Sequence, residues 1–169
     1  MCRILTAAAI VLCSLSVTEA SWTDRLWFGG GIGAGFGTVD YIEVTPIVGY
    51  NLTERFSFGG GLTYRYRNDD RLPGSTNDYG VNVFGRYTVF RGFYVHGEYE
   101  YLNYEFVSDG SADRDNFNSL LAGPGFHKPL GRRTGLYISA LYNFSYDEDD
   151  IFSPYDDHWS FRVGVSVGF

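Results

Sequence analysis

From Leu26 onward, apolar and polar residues alternate along the chain. The last stretch is the clearest. Trp159, Phe161, Val163, Val165, Val167 and Phe169 occupy every second position, and Ser160, Arg162, Gly164, Ser166 and Gly168 fill the gaps. Side chains of a strand point to opposite faces in turn, so this is a strand with one apolar face and one small or polar face. Its length, eleven residues, spans a hydrocarbon core when the strand is tilted. The same pattern sets Leu26, Phe28, Ile32, Ala34 and Phe36 against Gly29, Gly31, Gly33 and Gly35. It sets Ile42, Val44, Pro46, Val48 and Tyr50 against Glu43 and Thr45, and Phe56, Phe58, Leu62, Tyr64 and Tyr66 against Ser57, Thr63, Arg65 and Arg67. No helical period lasts three turns. The alternation predicts eight strands, at about 26–37, 41–50, 56–67, 78–89, 93–106, 116–127, 135–146 and 158–169. In the sixth, Pro124 is expected to mark a bulge.

The connections differ in length. Those near 51–55, 90–92 and 128–134 are short, and those near 68–77, 107–115 and 147–157 are long and acidic; only the one near 38–40 breaks the alternation. Short turns at one end and long loops at the other are the pattern of an outer-membrane barrel, with both termini at the short-turn end.

Alternation alone also fits a soluble barrel that keeps its apolar face inside, around a ligand. Composition separates the two. Aromatic residues make up 18 % of the chain, glycines number 22 of 169, and Lys128 is the only lysine. A soluble sheet needs Lys and Glu on its outer face, and this chain has little of that material. Its polar positions carry Gly, Ser, Glu and Arg instead, which suit a narrow lumen. The aromatic residues also gather at strand ends. Tyr64, Tyr66, Tyr101, Tyr142, Tyr146 and Trp159 fall near the long loops; Phe28, Phe56, Phe93 and Phe169 fall near the short turns. Amphipathic rings at both interfaces form the girdles of a membrane barrel. The fold expected is an all-β, eight-stranded, antiparallel up-and-down transmembrane barrel.

The N-terminus predicts a signal peptide over residues 1–20, followed by the barrel domain over 21–169. Arg3 supplies a positive start, Ile4 to Val17 is mostly apolar, and Thr18-Glu19-Ala20 places small residues at a cleavage site. Both cysteines, Cys2 and Cys13, fall inside that segment, so the expected mature chain has none. The net charge is −7, which is a poor match for nucleic acid. Nothing in the sequence asks for a cofactor.

The stretch Trp159 to Phe169 resembles the C-terminal strand of bacterial outer-membrane proteins. With eight strands and a signal peptide, the whole mature chain resembles small barrels of the OmpA/OmpX and opacity-protein type. The resemblance implies a Gram-negative outer membrane, contact with its lipid and lipopolysaccharide, and no enzyme activity. It also implies that Phe161, Val163, Val165, Val167 and Phe169 form a signal read by the barrel-assembly machinery. One departure is the short first connection, where such proteins often carry a longer loop.

Candidate chemistry lies on the inward positions and in the long loops. Glu43, Arg65, Arg86, His96, Glu98, Glu100 and Arg162 are expected to face the lumen and to pair there, because unpaired buried charges cost several kcal/mol each. The glycine runs 29–31 and 59–61 lack the helix and lysine of a phosphate loop, and fit a crowded lumen or a bend. Asp147, Glu148, Asp149 and Asp150 offer oxygen ligands for a weak divalent cation, without the spacing of an EF-hand. Asp156, Asp157, His158 and Ser160 could supply a Ser–His–acid set for a lipid A-modifying enzyme, a combination common by chance in an acidic loop. Two functional classes stand open. One is a structural or surface-interaction barrel acting through its acidic outer loops; the other is a narrow channel or transporter for small solutes.

Overall fold

The computed structural model describes residues 22–35, 39–69, 75–108, 111–149, 153–155 and 157–168. A short 3-10 turn, Trp22–Arg25, leads into eight strands: β1 Leu26–Gly35, β2 Val39–Asn51, β3 Phe56–Asp69, β4 Ser75–Phe90, β5 Phe93–Ser108, β6 Ser111–Pro129, β7 Thr134–Asn143 and β8 Trp159–Val167. Each strand pairs antiparallel with the next, and β8 pairs with β1 to close the barrel. The expected signal-peptide segment and Phe169 lie outside the described residues.

The apolar face is outside. Phe28, Ile32, Ile42, Val44, Phe58, Leu62, Val81, Val83, Val95, Phe161 and Val163 are all exposed. The alternate positions, among them Glu43, Arg65, Glu98, Glu100 and Arg162, are buried in the lumen. An inside-out soluble barrel is therefore excluded, since a belt of this size cannot face water in a monomer. In lipid the same belt is the favourable surface, and closure leaves no strand edge unpaired there.

Following the pairs from Leu26 through Tyr50, Phe58, Gly85, Gly97, Ala122 and Tyr142 to Trp159 returns the ladder to β1 further along its length. The stagger is about ten residues, which tilts the strands and leaves a lumen that side chains fill. Inward glycines make that filling possible. Trp27 sits opposite Gly49, Phe84 opposite Gly59, Tyr94 opposite Gly125 and Tyr137 opposite Gly164. In each pair the ring lies where a Cβ would be: 2.2 Å at Gly49, 2.6 Å at Gly59, 2.2 Å at Gly125 and 2.4 Å at Gly164. These four rings and Ile47 pack together inside the barrel, towards the short-turn end.

Two loop expectations are corrected. The strands run further into the segments 68–77 and 107–115 than expected, because β3 and β4 pair out to Asn68 and Ser75, and β5 and β6 out to Ser108 and Ser111. A ladder begun in the barrel continues as long as the backbone donors and acceptors of the two strands stay in register. The last connection is longer than expected, because β7 stops at Asn143 and Tyr146 lies beyond it. Pro124 causes no bulge. The β5–β6 register runs unbroken past it, and the β6–β7 pairing skips Gly123 and Pro124 without a shift. The irregularity lies between Thr88 and Phe90, beside the tight Arg91-Gly92 turn. That turn needs positive φ at both residues (44° and 88°), as a two-residue hairpin of matching twist does.

Gly49→Ala is expected to cost about 1–3 kcal/mol by overpacking against Trp27. Gly97→Ala, where a Cβ meets nothing within 4 Å, should change stability by less than about 0.5 kcal/mol. Urea titration of the detergent-folded barrel, read as the heat-sensitive gel shift, measures both.

Candidate functional site in the barrel lumen

The lumen is filled in layers. At the outer end, Arg67 Nε donates to Asp78 at 3.1 Å, Arg67 Nη2 donates to the Glu105 carbonyl at 2.5 Å, and Asp78 accepts the Glu105 N–H at 3.2 Å. Neither Arg67 nor Asp78 was among the expected charge network. Both are on the inward parity of their strands, which is the signal that finds them.

The second layer holds three glutamates and two arginines. Glu43 and Arg65 are direct partners across β2 and β3, and their closest approach is 2.6 Å. Arg162 reaches across the lumen from β8. It contacts Glu98 of β5 at 2.6 Å, Glu43 of β2 at 3.1 Å and Glu100 at 3.7 Å. Thr45 and Thr63 donate to Glu43 and Glu100, each at 3.1 Å. Glu43, Arg65, Glu98, Glu100 and Arg162, from inward positions read in the sequence, meet in this one layer.

Tyr155 was not foreseen at all. Its segment, Ser153 to Tyr155, comes from the last outer connection and is buried. The Tyr155 hydroxyl bonds to Glu100 and accepts from Arg65 Nη2 at 3.1 Å. Its ring lies under the Arg65 guanidinium at 4.5 Å and meets Tyr41 edge-on. A loop residue therefore seals the outer side of the charge layer. Its identity as an aromatic in an acidic stretch, Pro-Tyr-Asp-Asp, is a weak signal in the sequence.

The third layer is Arg86 and His96, direct partners across β4 and β5. Arg86 Nε donates to His96 Nδ1 at 3.0 Å, so His96 carries its proton on Nε2, which faces Glu98 at 2.9 Å. Arg86 departs from the expected Glu–Arg pairing: among the described residues no carboxylate forms an ion pair with it. The rings of Tyr137, Phe84, Trp27 and Tyr94 surround its guanidinium at 4.7, 4.8, 5.2 and 5.3 Å. Cation–π attraction substitutes for the missing carboxylate. Between this layer and the glutamates the free space is about 10 Å³, room for one water at most.

No protein-family model matches the chain, and no curated protein matches it. Solved structures do. The N-terminal β-barrel domain of Pseudomonas aeruginosa OprF matches with a TM-score of 0.56 and 16 % identity, over 85 % of this chain and 96 % of that one. Neisserial surface protein A (NspA) matches with a TM-score of 0.50 and 13 % identity, over the same shares. Both are eight-stranded outer-membrane barrels. The chain has their fold. At these identities the likeness carries topology and nothing about individual side chains.

The remaining expected residues fall as follows. Phe28, Phe56, Tyr64, Tyr66, Phe93, Tyr101 and Trp159 are exposed on the outer face. Tyr142 and Tyr146 are half-buried instead, in a cluster where both rings contact His158, at 4.9 and 4.7 Å. Phe161, Val163, Val165 and Val167 line the outer face of β8. Asp147, Glu148 and Asp149 are exposed, and Asp147 caps the Asp149 N–H at 3.0 Å. Asp150 and Asp156 lie outside the described residues, among which no three His, Cys, Asp or Glu side chains are grouped to hold a metal. The set Asp157, His158 and Ser160 is split: Ser160 points into the lumen while His158 stacks on Tyr142. A different Ser–His contact forms, His127 Nε2 to Ser166 at 3.2 Å, and was not expected.

The outer acidic residues have a structural task as well. β7 pairs with β6 only from Leu121 onward, and Phe144 and Ser145 bond the backbone of Leu120, so Ser111 to Ser119 forms an edge. Asp113 and Asp115 turn back to accept the N–H groups of Arg114 and Asn116, at 2.8 and 2.7 Å. Edge donors occupied in this way are poor templates for another strand.

Arg162→Ala removes the one side chain that touches Glu43, Glu98 and Glu100 together. It is expected to lower stability by about 3–5 kcal/mol, the cost of stranding buried carboxylates. Adding Glu98→Gln should recover part of that loss. Urea denaturation of wild type and both variants in detergent checks it.

Proposed function

We propose that this chain is an integral protein of a bacterial outer membrane that works as a plugged anchor, with a structural or surface-interaction role carried by its outer hairpins. The observation that supports this most is the lumen itself. Three layers of charges and rings fill it, and the cavity between the arginine–histidine layer and the glutamates is about 10 Å³. A solute path would need most of them to move, so the alternative of a narrow channel or transporter is disfavoured. The work of such a barrel falls to its surfaces.

The outer surface is acidic and polar. It carries Asp113, Asp115, Asp147, Glu148, Asp149 and Asp157 in exposed positions. Carboxylates at that height could meet lipopolysaccharide phosphates through divalent cations, or basic groups on another cell or protein. The aromatic residues at both ends of the belt suit headgroup contact. The apolar outer face of β8 suits the segment handled by the barrel-assembly machinery. No catalytic role is part of this proposal.

Single cysteines test the orientation, since both native cysteines precede the expected cleavage site. Asp149→Cys and Glu54→Cys stand at exposed positions at opposite ends of the barrel. On intact cells, an impermeant maleimide is expected to label Asp149→Cys, and to label Glu54→Cys only after the envelope is opened. Equal labelling of both, or recovery of an unshifted band from the soluble periplasm, would reject the proposal.

A further inference from the structure

The short-turn end of the barrel opens into a cavity of about 460 Å³, within the size range of small-ligand sites. Arg86 forms part of its wall, together with Ser57 and Tyr94 from the lumen. Arg55, Arg91 and Lys128 stand around it, and Glu54 is the only carboxylate among its lining residues. Arg86 is only 8 % exposed, yet no carboxylate among the described residues forms an ion pair with it. The three other lumen arginines, Arg65, Arg67 and Arg162, each have one.

We infer that this cavity is a binding site for a small oxyanion, a carboxylate or a phosphate, held by the Arg86 guanidinium at its floor and attracted by the basic rim. A guanidinium carries five N–H donors in a planar fork that matches an oxyanion. His96 Nδ1 takes the Nε donor and the Tyr137 side chain also hydrogen-bonds the guanidinium, which leaves the remaining Nη donors for a ligand. The cavity is wide enough for the anion to arrive as part of a larger molecule. The low-dielectric walls and surrounding positive charge raise local anion concentration at the mouth. The inference does not depend on the membrane assignment, because binding can be read on the folded full chain in detergent.

Trp27 supplies the signal, since the Arg86 guanidinium lies 5.2 Å over its ring. In a Trp22→Phe, Trp159→Phe background, Trp27 is the only tryptophan. Sodium phosphate and sodium acetate are titrated separately at constant ionic strength, with sodium chloride as the control. The expected result is a saturable change in Trp27 fluorescence with at least one of the two oxyanions and none with chloride. The tighter of the two identifies the ligand class as phosphate ester or carboxylate. Arg86→Lys, which keeps the charge and loses the fork, should weaken binding about tenfold. The paired rim variant Arg91→Glu, Lys128→Glu should weaken it by a similar factor, and it keeps the test decisive if Arg86→Lys lacks the heat-sensitive gel shift of a closed barrel. No saturable change with either oxyanion overturns the inference. So does an affinity left unchanged by every variant that folds.

Discussion

The structure depends on one constraint: in a bilayer, each backbone N–H and C=O of a strand must bond to a neighbouring strand, because no water is there to replace it. The pairing of β1 with β8, from Phe28–Val167 to Gly33–Arg162, supplies the last ladder. Much else follows from that closure. Eight tilted strands enclose a lumen whose width is set by strand number and stagger. A lumen of that width must be filled, and the residues pointing into it are fixed by parity. The opposition of Trp27 to Gly49, Phe84 to Gly59, Tyr94 to Gly125 and Tyr137 to Gly164 is the local solution. Each ring takes the space that its cross-strand partner leaves empty.

Charge sets the second condition. Three glutamates sit in the middle of a low-dielectric barrel, and Arg162 touches all of them from the far wall. Replacing such pairs with apolar groups can leave a fold equally stable, so their presence is not an argument for stability. Their arrangement does fix register. A slip of one residue would turn Arg162 outward and leave Glu98 with His96 and no arginine. The network is also graded along the axis. Arginine–carboxylate pairs occupy the outer and middle layers, and the arginine nearest the short turns is held by rings and a neutral histidine. Acidic residues crowd the outer end and basic ones the other, so the two ends offer opposite chemistry.

Much of the fold was legible from period-two alternation. The outward positions of β2, β3 and β8 match the apolar residues read along the chain, and Glu43, Arg65, Glu98, Glu100 and Arg162 fall inside. The reading failed where an apolar residue faces inward. Trp27, Phe84, Tyr94 and Tyr137 share the parity of glycine and polar neighbours, but an apolar-outside rule gives no reason to place them in the lumen. It failed again where polar sequence continues a strand, as at Asn68 and Ser75, because turn composition says little about a ladder already in register.

The sequence by itself determined the strand count, the alternation of faces and the set of charges that must be sheltered, because these depend on side-chain type at successive positions. Tertiary structure alone decided which charges meet. Arg162 and Glu98 are 64 residues apart, and Tyr155 and Arg65 are 90 apart. Their contact depends on the stagger with which β8 closes on β1, and on a loop segment turning back into the lumen. Neither is encoded in local periodicity; both are properties of the closed ring of strands.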